Sequence, residues 1–214
     1  MKQPQPSTES SQDFFNARAA NWADLWHKNP RARARNYYRH EFKRLLDLAP
    51  LRKNDVILDI GCGSGELVPH ILQRLGPRGR LHEVDYAARM IAVNRQQHSD
   101  PRTTFHVADV HCLPLARQSC DGIFCFSAFP HFRHKARALG ELAAVLKPNG
   151  WLLLAHFDSP RTLDKHHAAT ASSLQNDRLP KPAALQALLT GAGLINTRHI
   201  NEAKFYAFLA VRPR

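Results

Sequence analysis

The stretch Val56-Ile57-Leu58-Asp59-Ile60-Gly61-Cys62-Gly63-Ser64-Gly65 constrains the fold of this chain more than any other. A short apolar run predicts a buried strand. It ends in a G-x-G-x-G loop, and a helical pattern from Glu66 to Leu75 follows at once. Such a loop lets a nucleotide-like ligand lie against bare backbone, because three glycines remove the side chains that would block it. The spacing is not that of a dinucleotide site, which needs G-x-G-x-x-G, and Gly-Lys-Ser/Thr of a phosphate-binding loop is missing.

Beyond Asn54-Asp55 strands and helices alternate. Strands are predicted at Val56–Ile60, Arg80–Val84, Thr104–Val107, Gly122–Phe126, Trp151–Phe157, Leu194–Asn201 and Phe205–Val211. Helices are predicted at Glu66–Leu75, Ala87–His98, Lys135–Leu146 and Pro182–Leu189. This alternation predicts an α/β fold with a parallel sheet covered on both faces. The last two strands lie too close for a crossover helix, so they should pair antiparallel at the sheet edge. Ahead of the core, an aromatic amphipathic helix is expected from Asp13 to about Lys28, with Phe14, Phe15, Trp22 and Trp26 among its apolar members. A second is expected from about Arg33 to Leu48. The expected layout is a disordered start (1–12) and a single domain (13–214). That domain comprises a helical cap (13–50), a core (51–214) and an acceptor lid (157–180).

Two further strands end in acidic residues, Leu81-His-Glu-Val-Asp85 and Phe105-His-Val-Ala-Asp109. A carboxylate at the first can accept both hydroxyls of a ribose, and one at the second is placed for the exocyclic amine of adenine. At this point the chain resembles the class I S-adenosylmethionine-dependent methyltransferases. The residues that carry the likeness are Leu58–Gly65, Val84–Met90, Ala108–Leu115, Ser119–Ile123 and Leu146–Gly150, in register over roughly residues 50–157. The resemblance implies a Rossmann-like three-layer sandwich with a seven-stranded, mostly parallel sheet in order 3-2-1-4-5-7-6, strand 7 antiparallel. It also implies S-adenosyl-L-methionine as cofactor, with S-adenosyl-L-homocysteine as product. Carried over by position, Gly61, Gly63 and Gly65 would pack its methionine and ribose part, and Asp85 would bind the ribose hydroxyls. Tyr86 and Met90 would line the adenine, Asp109 and Val110 would hold its amine and ring edge, and Phe126 and Ser127 would border the methionine end. Asp59 would orient the glycine loop or meet the amino group through water. Asp59 and Asp85 also fit a plainer role, capping the turns that follow them. Glu83, Tyr86 and Asn149 depart from residues common in the family.

The acceptor should meet the loops beyond strands four and five, since ligands of open α/β sheets sit at the carboxyl ends of the strands. Those loops read Ser127-Ala-Phe-Pro-His131-Phe-Arg-His134 and His156-Phe-Asp-Ser-Pro-Arg161, with Lys165-His166-His167 after. The Asn/Asp-Pro-Pro-Tyr signature of amino-group and DNA-base methyltransferases is absent. His131 and His156 are the candidate catalytic residues, expected on one rim together with His166 or His167. One of them could act as a base for a hydroxyl, thiol or amine. The alternative is imidazoles holding a metal or a metal-bearing substrate, although no metal-site spacing is present. Among thirteen histidines, packing or surface roles are also common.

The net charge of +12 over 214 residues invites a nucleic-acid partner. The basic residues are scattered, however, and no RNA-binding module is visible, so a small-molecule acceptor is favoured. The four cysteines form no C-x-x-C pair, which fits a reducing compartment, and Cys62 reads as a packing residue. No apolar run approaches the ~20 residues that cross a bilayer. The polar first residues lack the apolar middle of a signal peptide, so the expected location is the cytoplasm. No motif sets an oligomeric state. The reading is a methyltransferase acting on a small molecule, with an RNA methyltransferase and a non-catalytic S-adenosylmethionine-binding protein as rivals.

Overall fold

The computed structural model describes residues 10–22, 35–163, 174 and 177–214. Its centre is a seven-stranded sheet of β1 (Val56–Ile60), β2 (Arg80–Asp85), β3 (Thr103–Val107), β4 (Cys120–Phe126), β5 (Leu146–His156), β6 (Ile195–Glu202) and β7 (Phe205–Val211). The strand order is β3-β2-β1-β4-β5-β7-β6. The first five strands run parallel, and β7 is antiparallel to both β5 and β6. Order and directions are those expected from the sequence. Only Ala203-Lys204 separates β6 from β7, which a hairpin turn can bridge and a crossover cannot.

Alternation along the strands sorts side chains into two layers. Ile57, Leu81, Phe124, Leu153 and Ala207 pack against α2 (Arg35–Leu48) and α3 (Val68–Arg74). Leu58, Val84, Ile123, Leu152 and Phe208 pack against α5 (Lys135–Val145) and α6 (Pro182–Gly191). The parallel strands carry apolar side chains on both faces, which is why they read as nearly unbroken apolar runs. Between β2 and β3, α4 (Ala88–Gln97) lies on the first face, where Asn94 reaches Glu83.

The expected first helix is corrected at its start and is interrupted by a tighter turn. α1 spans Ser11–Arg18 and gives way to a 3₁₀ turn at Ala19–Asn21. It begins two residues before Asp13, inside the segment expected to be disordered, because Ser10 and Asp13 form a reciprocal capping box that satisfies exposed N–H groups. Residues 1–9, Trp26 and the interval 23–34 lie outside the described residues. The same holds for most of the expected lid, including His166 and His167. No helix among the described residues is long and apolar enough to cross a membrane.

Candidate functional site

β1 delivers the chain into the glycine loop, where Gly61, Gly63 and Gly65 all have positive φ (68°, 54° and 93°). The N–H groups of Gly61 and Cys62 both bond the Val84 carbonyl (2.8 and 3.2 Å), which folds the loop over the end of β2. The three glycines have different reasons. A Cβ on Gly61 would collide with Ala128 Cβ, and one on Gly65 with the Asn94 amide. Those two make room for the protein itself. At Gly63 an added Cβ would meet nothing nearer than the Trp22 indole at 3.5 Å. The idea that all three clear space for a ligand is therefore corrected, because only Gly61 and Gly63 line the cavity.

Asp59 and Glu83 are register partners on adjacent strands, and Asp85 lies two residues beyond Glu83 on the same face. All three are buried, Glu83 completely. Burial raises the Asp59 carboxyl well above its usual range, and the neighbouring Glu83 and Asp85 add to this. Burial pushes Glu83 up to about 8, against the pull of Asn94, which donates to it at 2.7 Å. Asp85 is raised by burial too, opposed by the backbone donors of Ala87, Gly63 and Tyr86 and by nearby His131. Gly63 N–H donates to one of its oxygens (3.0 Å) and Ala87 N–H to the other (2.8 Å). Asp85 thus caps the turn into α4 and tethers the glycine loop at once. The Cys62 thiol is driven up by burial and then by these acids, so it stays protonated and packs.

Above this floor lies a cavity of about 350 Å³. Asp59, Tyr86, Met90, Asp109, Val110, Phe126 and Ser127, expected from the sequence, all line it. Gly65 does not. Asp109 is the most open of the three strand-end acids, and it accepts from the His111 N–H at 2.9 Å. The roof comes from α1. Phe15 sets its ring edge-on to Trp22 (5.5 Å), Tyr86 (6.2 Å) and His131 (5.0 Å). Gln12 donates to the Tyr86 carbonyl at 2.7 Å. Asn16 accepts the Arg89 N–H at 3.0 Å, capping a helix that has no side-chain cap of its own.

The two candidate histidines part company. His131, in the 3₁₀ turn Phe129–His131 after β4, lines the cavity. Its Nδ1 lies 2.7 Å from Asp177 Oδ2. His156 is not a lining residue. It sits 1% exposed within β5, opposite Tyr206, on the face of Leu152 and Leu154 that packs against α5 and α6. The expected common rim is corrected, because β5 continues through His156 and strand alternation turns that side chain into the core. No cluster of three metal-binding side chains exists among the described residues.

A methyltransferase-domain family profile matches residues 57–150. A malonyl-[acyl-carrier protein] O-methyltransferase from Marinomonas sp. is 33% identical over 53% of this chain and 42% of its own. A ubiquinone/menaquinone biosynthesis C-methyltransferase from Pseudomonas aeruginosa is 30% identical over 60% of this chain and 53% of its own. The chain thus spans about half the length of these curated relatives. A SAM-dependent methyltransferase from Aquifex aeolicus shares the fold with a TM-score of 0.67 at 18% identity, covering 80% of this chain and 89% of that one. The chain thus matches a methyltransferase-domain profile over residues 57–150 and shares its fold with S-adenosylmethionine-dependent methyltransferases.

The cofactor that this resemblance implies is S-adenosylmethionine. The cavity suits it chemically. A buried carboxylate, Asp85, lines the wall next to a bare backbone at Gly63, and each of its oxygens keeps lone pairs beyond the one backbone N–H it accepts. Apolar Met90 and Val110 supply a flat-ring environment beside these polar groups.

Several lining residues carried little sequence signal. Glu66 was expected in a helix, but α3 starts only at Val68, and Glu66 lies in the preceding turn facing the cavity. Its neighbour Ser64 donates to it at 3.2 Å. His111 and Arg133 also line the site. Asp177 pairs with His131 across 46 residues, a distance no local pattern encodes.

Proposed function

We propose that this protein transfers the methyl group of S-adenosylmethionine to a small-molecule acceptor. The observation that carries the reading is the buried Asp85 carboxylate, held between Gly63 and Ala87 at the end of β2 and exposed only to the cavity. Asp85 binds the ribose hydroxyls, the backbone of Gly61 and Gly63 supports the methionine and ribose part, and Tyr86 and Met90 flank the adenine. Asp109 and Val110 take the adenine edge, while Phe126 and Ser127 border the methionine end. Asp59, its carboxyl raised by burial and then by Glu83 and Asp85, orients the glycine loop. When bound, S-adenosylmethionine supplies a methyl carbon on a sulfonium, open to in-line displacement. The residues of this chain need only bind, align and exclude water, which is where most of the rate for such a reaction arises. Phe15 and Trp22 close the roof over the site and exclude water. His131 on the cavity wall is the candidate proton acceptor.

The relatives' names support methyl transfer as the reaction class. A cavity roofed by α1 favours a small acceptor over a nucleic-acid strand. The unpaired cysteines, three of them buried, support the cytoplasm as the compartment.

Calorimetric titration of S-adenosylmethionine into the wild type and Asp85→Ala tests the reading. Loss of a charged acceptor, with Gly63 and Ala87 left unpaired, should weaken binding on the order of 100-fold. Equal affinity in the two proteins would overturn the assignment. Release of S-adenosylhomocysteine in an acceptor screen separates an enzyme from a protein that only binds the cofactor.

A further inference from the structure

His131 and Asp177 belong to parts of the chain that no motif connects, yet they meet at the cavity wall. His131 is fixed by the 3₁₀ turn, where its N–H bonds the Ala128 carbonyl at 3.0 Å, and by the edge-on ring of Phe15 at 5.0 Å. Asp177 arrives from the segment that also brings Leu174, 4% exposed, against Phe14, Ala87 and Met90 under the roof. The side chains of His131 and Asp177 are 14% and 18% exposed, so their contact is largely shielded from water.

The polarity of the pair follows from valence. A carboxylate only accepts hydrogen bonds, so the 2.7 Å contact requires a proton on Nδ1. The neutral ring then carries its lone pair on Nε2. Free imidazole has no such constraint, and an oriented base of this kind needs a third group to fix its tautomer. A base, the carboxylate that orients it and a cavity next to both are the parts a proton-abstracting site requires.

We propose that Asp177 is the positioning residue that makes His131 a base through Nε2, serving an acceptor whose attacking atom carries a proton, as O–H, S–H or N–H. The proton leaves that bond for Nε2, the bonding pair stays on the acceptor atom, and the imidazolium rests against the Asp177 carboxylate until its proton passes to water. This rests on the methyl-transfer reading above, but it can be tested without knowing the acceptor.

The test is a long-range ¹H–¹⁵N correlation spectrum of the full chain with ¹⁵N-labelled histidine, at about pH 8.5, where an ordinary imidazole is neutral. His131 is assigned by the signals lost in His131→Gln. The wild type should show a protonated Nδ1 and an unprotonated Nε2. In Asp177→Ala the Nε2–H tautomer should become the major form, while the affinity for S-adenosylmethionine stays within about twofold, since neither residue holds the cofactor. A wild-type ring with its proton on Nε2 would overturn the proposal, and so would a tautomer unmoved by Asp177→Ala. Should that variant misfold, the wild-type spectrum alone decides. Failure of the methyl-transfer reading would show differently, as absent S-adenosylmethionine binding in the wild type with the tautomer intact.

Discussion

The floor and the roof of the cavity are built by different rules. The floor is made by the ends of consecutive parallel strands, so Asp59, Asp85 and the glycine loop are placed by the sheet itself. The roof is assembled from segments far apart in sequence. Gln12 reaches Tyr86 across 74 residues, Asn16 reaches Arg89 across 73, and Asp177 reaches His131 across 46. The floor shares the stability of the core, because moving it means breaking strand pairing. The roof is held by a few hydrogen bonds and ring contacts and can change at little cost to the fold. On the proposed function, a cofactor site on the floor with an acceptor site under the roof would let one fold keep its donor while its acceptor varies.

The comparison is broken most severely by substitutions in the glycine loop of the floor. Gly61→Ala forces a side chain into left-handed backbone and onto Ala128. It should destabilise the fold by about 3 kcal/mol, read from urea unfolding. Gly63→Ala carries the backbone strain without the collision, so its loss should be about 1 kcal/mol, while S-adenosylmethionine binding falls more than for any roof variant. Equal stability losses for the two glycines would contradict the distinct roles assigned to them.

Next comes the buried acid beneath the loop. Glu83 keeps its proton to about pH 8 in the folded protein, whereas an unfolded glutamate ionises near the ordinary value of 4.5. Between these values the folded state binds the extra proton, so raising the pH favours unfolding, and the effect levels off above about 8. The half-buried His70, His82, His98 and His106, lowered by burial from 6.5, act in the opposite sense below that pH. From 6.5 to 8 the carboxyls raised by burial, Glu83 together with Asp59, dominate the profile. Over this range the wild type should lose at least about 2 kcal/mol, one proton's worth from Glu83, and Glu83→Gln should make the profile shallower. Parallel profiles for the two proteins would contradict a protonated Glu83.

The smallest effect belongs to the roof. Trp22→Ala removes one edge-on aromatic contact over the cavity and should weaken S-adenosylmethionine binding by up to about tenfold. Its urea midpoint should match the wild type. A large stability loss would mean that the roof is part of the core after all.

The same division explains what could be read in the sequence. Strand runs, the glycine spacing and the acidic strand ends are local patterns; they marked the strands and the floor residues, the strand order followed from the resemblance they carry, and Gly65, named with the floor, faces α4 instead. Boundaries failed where local chemistry competed. The Ser10–Asp13 capping box started α1 early, and the turn through Glu66 delayed α3 to Val68. β5 begins at Leu146, ahead of the expected Trp151, because Leu146 pairs with Cys120 before a register shift. His156 was misplaced because its parity within the strand points it inward, onto the face of Leu152 and Leu154. The Asp177 contact had no signal at all, since tertiary packing alone brings that segment to His131.

The central claim is that the floor holds S-adenosylmethionine through Asp85. A crystal structure of the protein with S-adenosylhomocysteine tests it most directly. The expected result is both ribose hydroxyls on the Asp85 carboxylate, with the adenine between Tyr86 and Met90. A ligand seated elsewhere, or one whose ribose leaves Asp85 bonded only to Gly63 and Ala87, would contradict the account.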